Sequence, residues 1–84
     1  MRVALRNLRP GTRFVLEGLE ADCRLVSCTE SAAVVEVSAS GRLVEFRDRD
    51  GHEHRFIRGA VRRERWAPGT VVRPCGAVRE YLRT

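Results

Sequence analysis

Apolar side chains in this chain return at every second position, in short runs punctuated by glycine, proline or acidic residues. A period of two is the spacing of a strand with one buried face, whereas an amphipathic helix needs 3.6. "TRFVLEG" sets Phe14 and Leu16 against Arg13, Val15 and Glu17, and "DCRLVSC" sets Cys23 and Leu25 against Arg24 and Val26. "AAVVEVS" puts Val35 and Val37 opposite Glu36, so the valines are predicted to point inward. Further along, Val44 and Phe46 alternate with Leu43, Glu45 and Arg47, Asp50-Gly51 supplies a turn, and Arg55-Phe56-Ile57 returns as a hairpin. The last extended piece, "TVVRP", is short and closed by Pro74, as befits a strand at a sheet edge.

Pro-Gly-Thr occurs twice, at Pro10 to Thr12 and Pro68 to Thr70, each time before an apolar or aromatic strand. Proline fixes φ for the second position of a tight turn and glycine accepts the left-handed third, so each copy is predicted to reverse the chain and launch a strand. Five to six short antiparallel strands in so few residues imply a strongly bent sheet curling into a small all-β barrel. The barrel spans about residues 10–74. In the tail 75–84, Ala77, Val78, Tyr81 and Leu82 form one helical stripe, which predicts a short helix or tail sealing one end of the barrel. So short a helix cannot persist alone in water.

A chain of 84 residues makes one domain, 1–84, which hides roughly 60–65% of its unfolded surface. No apolar run is long enough for a membrane helix, and no apolar block follows the N-terminus, so the expectation is a cytoplasmic protein with no membrane partner. Three cysteines, Cys23, Cys28 and Cys75, cannot all pair within one chain, which also fits a reducing compartment. A metal site from Cys23, Cys28, His52 and His54 is disfavoured. Residues five apart on a regular strand face opposite ways unless a bulge intervenes, and "GHEHR" reads as a solvated turn. No metal and no cofactor is expected.

The opening "LRNLRPGTRFVLEG" and the closing "RWAPGTVVRP" resemble the first and last strands of SH3-like small barrels, including KOW-type domains of translation proteins such as the first domain of elongation factor P. That resemblance covers about residues 5–74 and implies the fold. It departs where that family carries a modified lysine, because all sixteen basic residues here are arginine, so it implies no activity that needs the lysine. A weaker resemblance is to PilZ domains, which bind cyclic di-GMP through Arg-x3-Arg and a downstream Asp/Asn-x-Ser-x2-Gly. Arg9 and Arg13 would supply the first motif and Ser38 and Gly41 the second, with Glu36 where a shorter side chain belongs. Arg-x3-Arg also recurs at Arg2/Arg6, Arg58/Arg62 and Arg79/Arg83, so that half of the signature carries little information.

No nucleophile elbow, phosphate loop or zinc-protease motif is present, and neither the histidines near Asp48 and Asp50 nor the thiols gain a placed partner, so no enzyme is expected. The net charge of +5 is concentrated instead. "RFIRGAVRRERW" carries Arg55, Arg58, Arg62, Arg63 and Arg65 against Glu64, with Trp66 following directly. Guanidiniums beside an exposed ring suit the phosphates and stacked bases of RNA or DNA. Trp66 has a second reading as a core plug with the arginines as its solvated rim. Two partner classes therefore stand: nucleic acid bound by the arginine segment, or a protein met through a strand edge or the C-terminal stripe by an accessory module of the kind phages and mobile elements encode. Either is compatible with a monomer or a small homo-oligomer.

Overall fold

The structure, a computed structural model, describes residues 1–16, 21–39, 43–47, 50–57 and 61–83. Its strands are β1 (Val3–Ala4), β2 (Arg13–Val15), β3 (Ala21–Cys28), β4 (Ala33–Ala39), β5 (Leu43–Arg47), β6 (Glu53–Ile57), β7 (Val61–Trp66) and β8 (Val71–Pro74). One 3-10 turn, Leu5–Asn7, follows β1, and a single helical turn, α1 (Val78–Tyr81), follows β8. Six strands make one antiparallel sheet in the order β1-β8-β2-β3-β4-β7, and β5 and β6 form a separate hairpin inserted between β4 and β7 in the chain. The fold is all-β and barrel-like but not closed. Among the described residues β1 pairs only with β8 and β7 only with β4.

Alternation decides which face is buried. Phe14, Cys23, Leu25, Val35, Val37 and Val72 are buried and share the concave face, while their neighbours Arg13, Val15, Asp22 and Arg73 are exposed. Trp66, the largest buried side chain, is 1% exposed and meets Phe14 edge to face at 5.9 Å between ring centroids. Edge-to-face geometry adds a quadrupolar attraction to the apolar burial. The β1–β8 pairing continues past the strand ends, where Leu5 N–H donates to Thr70 O at 2.9 Å and Arg6 N–H to Pro68 O at 3.0 Å.

The two Pro-Gly-Thr copies both turn the chain, with Thr12 N–H donating to Arg9 O (3.2 Å) and Thr70 N–H to Ala67 O (3.0 Å). They do so differently. Gly11 has φ +91°, the left-handed value predicted for both, whereas Gly69 is not among the glycines with positive φ. The second copy therefore bends without using the freedom of its glycine.

Two further expectations change. A bulge between Leu25 and Ser27 shifts the β3 register, so that Cys28 opposes Ala33 while Cys23 opposes Val37, and both cysteines lie on the core face. The regular-strand argument against their sharing a face fails at this bulge. Five residues at about 3.3 Å each nevertheless hold them roughly 15 Å apart. In the tail only half of the expected stripe docks: Tyr81 is buried and Leu82 half-buried, but Ala77 and Val78 are exposed. Backbone contacts fasten the tail instead, with Arg9 N–H donating to Tyr81 O (2.8 Å), Arg83 N–H to Asn7 O (2.8 Å), and Leu8 bridging Leu82.

Candidate functional site

Consecutive residues on a strand face opposite ways, so β7 distributes its arginines over two surfaces. Arg63 opposes Glu36 and Arg65 opposes Val34, on the convex outer side, while Arg62 opposes Val37 on the other. Register then extends the outer row across the sheet, since Glu36 opposes Arg24 on β3 and Arg24 opposes Arg13 on β2. Arg73 on β8, opposite the exposed Val15, adds a fifth outward guanidinium. On the described strands of this face five arginines, Arg13, Arg24, Arg63, Arg65 and Arg73, meet two carboxylates, Asp22 and Glu36.

Glu36 is shared. Its Oε2 lies 3.4 Å from the Arg24 guanidinium and 3.7 Å from Nε of Arg63. Arg13, Arg65 and Arg73 have no carboxylate partner among the described residues. An arginine without an internal counter-charge keeps its donors and its field available to an outside anion.

Arg55, predicted to belong with Arg62, Arg63 and Arg65, stands apart from them. It lies on β6 and is held by Glu45, its cross-strand partner, at 2.6 Å. Arg58 falls outside the described residues. Trp66 as an exposed stacking ring is corrected by its burial among Phe14 and the sheet valines, and its second neighbour is His54 of the hairpin, at 5.9 Å between ring centroids. His54 is itself 9% exposed, so "GHEHR" is not wholly the solvated turn expected: His52 is exposed and His54 packs inward.

Of the cyclic-dinucleotide motif, Arg9, Arg13 and Ser38 fall among the described residues. Arg9 and Arg13 do line one cleft, of about 490 Å³, with Gly11, Cys75 and Tyr81. Arg9, however, donates from Nε to Leu82 O at 2.8 Å, tying down the tail. Ser38 stands on β4 opposite Asp22 and Val61, two strands and two residues from Arg13, which is roughly 12 Å away at ordinary sheet spacings. Gly41 lies outside the described residues.

Cys23 and Cys28 are poorly suited to nucleophilic chemistry. Burial, aided by the neighbouring Asp22 charge, pushes the Cys23 thiol up to about 12. Burial also raises Cys28, although Arg83 and Arg6 oppose the shift. A nucleophilic cysteine needs the opposite, a stabilised thiolate. No group of three or more His, Cys, Asp or Glu side chains that could hold a metal occurs among the described residues.

The sequence reading missed Arg24 and Arg73 as members of the basic surface and placed Arg13 only in the dinucleotide motif. Their outward alternation was legible, but only strand pairing brings residues so distant in the chain into one row. No protein-family model matches this chain, and neither does any curated protein or solved structure.

Proposed function

We propose that the chain is a non-enzymatic binding module, an SH3-like barrel in type, that holds the phosphates of RNA or DNA against the outer face of its sheet. The supporting observation is the row Arg13–Arg24–Glu36–Arg63, flanked by Arg65 and Arg73, in which one carboxylate serves two of the arginines and the other three have none among the described residues. Each guanidinium that meets a phosphate releases counterions, which makes binding favourable at low salt and progressively weaker as salt rises. Burial of Trp66 removes the ring that would have read bases, so the reading is of backbone rather than sequence. A monomer in a reducing cytoplasm, with Cys23, Cys28 and Cys75 as free thiols, fits this role.

Fluorescence anisotropy with a labelled oligonucleotide between about 50 and 200 mM salt tests the proposal, the expected logarithmic slope being near −4 from 0.7 to 0.9 per contact. Absence of binding at low salt, or a flat response, would remove it. A second reading rests on β7, which pairs only with β4 among the described residues and exposes Val61, leaving an edge to which an extended protein segment can add. A protein partner retained at high salt, with no oligonucleotide binding, favours this second reading.

A further inference from the structure

The outer face also bears on which form of nucleic acid it takes, an inference that rests on the phosphate-binding reading. Its arginines fall into two groups separated by a carboxylate. Arg13, Arg24 and Arg73 stand on β2, β3 and β8, Arg63 and Arg65 on β7, and Glu36 on β4 between them. With neighbouring strands about 4.8 Å apart, β7 lies roughly 10 Å from β3 and roughly 14 Å from β2. A phosphate laid over the middle of the row meets Glu36, which is 31% exposed and carries the same sign of charge. Phosphates are favoured on either side and disfavoured between.

A nucleic-acid single strand has one line of phosphates and gains most of its base affinity by stacking on aromatic rings. Among the described residues of this face no ring is offered: Phe14, Trp66 and Tyr81 are all buried, and the apolar residues exposed beside the arginines are Val15, Val61 and Val71. A duplex presents two phosphate lines across a groove, about 12 Å apart for the wide groove of B-form DNA, with its bases already stacked. We infer that the face straddles a duplex groove, one arginine group on each phosphate line and Glu36 over the gap.

The test uses the whole chain and three labelled probes of one sequence: a DNA duplex, the RNA duplex and the single strand. Duplex should bind about tenfold tighter than single strand, because the single strand has neither stacking nor a second phosphate line to offer. A preference between the two duplexes identifies whether the groove is B-form or A-form. The double variants Arg13→Ala/Arg73→Ala and Arg63→Ala/Arg65→Ala should each flatten the duplex salt slope by about 1.8, one increment per lost contact. Glu36→Gln, which keeps the shape and removes the charge, should improve single-strand binding more than duplex binding and so narrow the preference. Single-strand binding as tight as duplex binding, or an equal gain for both probes in Glu36→Gln, overturns the straddling geometry while leaving the phosphate reading intact. Failure of all three probes to bind at low salt overturns both.

Discussion

The hairpin and the outer sheet face use the same side chain to opposite ends. On the β5–β6 hairpin each described arginine has its own carboxylate directly across the ladder, Arg47 with Glu53 and Arg55 with Glu45, both at 2.6 Å. On the sheet face Arg24 and Arg63 divide Glu36 at longer range, and Arg13, Arg65 and Arg73 have no such partner among the described residues. Cross-strand pairing spends a charge locally, and its contribution to stability is small because both partners are wet. Unmatched arginines store that charge as a field directed at solvent. The lesson is that an arginine count says little about binding until strand register has assigned each arginine its neighbour.

The comparison is broken most severely by removing what the two regions share. Trp66 ends β7 and packs on His54 of the hairpin, so Trp66→Ala should cost about 3–5 kcal/mol and lower the melting temperature by at least about 12 °C. Thermal denaturation followed by circular dichroism checks this. A loss below about 1 kcal/mol would mean the ring is not the shared anchor.

Alkaline titration separates the two regions more finely. Cys23 lies under the sheet face with its thiol pushed up to about 12 from 9.0, so between those values the folded chain keeps a proton that the unfolded chain releases. The unfolded state then binds fewer protons, and stability falls as pH rises, by up to about 1.4 kcal/mol per pH unit across that window. The hairpin strands carry no cysteine, so the decline reports on the sheet. Urea denaturation at pH 8, 9 and 10 should show the decline, and Cys23→Ala should flatten it.

The contrast itself is read by paired alanine variants. Arg13→Ala/Arg65→Ala should weaken oligonucleotide binding by roughly tenfold per arginine at low salt, with the fold retained. Arg47→Ala/Arg55→Ala should change binding by less than about threefold and stability by less than about 1 kcal/mol. Equal losses in the two pairs would erase the distinction between spent and stored charge.

Much of the fold was legible because burial on one face writes itself as alternation: Val35 and Val37 against Glu36, and Phe14 against Arg13 and Val15, read correctly from the chain. The bulge at Leu25–Ser27 was not, since "LVSC" alternates whether or not one residue is extra. Nor could the two Pro-Gly-Thr turns be told apart, because the glycine at 69 permits a backbone angle that its surroundings do not require. The site was legible only in half. Arg63 and Arg65 were named from their place in a basic run, but the same run included Arg62, on the other face, and Arg55, whose charge Glu45 takes up. Arg13, Arg24 and Arg73 joined them through pairings between strands distant in sequence, which no local pattern encodes.

The Arg9 clasp on Leu82, together with the Arg9–Tyr81 and Arg83–Asn7 bonds, ties one end of the chain to the other. Tension applied through the C-terminal end therefore loads this small set of bonds before it reaches β8. In a single-molecule pulling trace, release of the tail would register as an early, short extension step ahead of the main rupture.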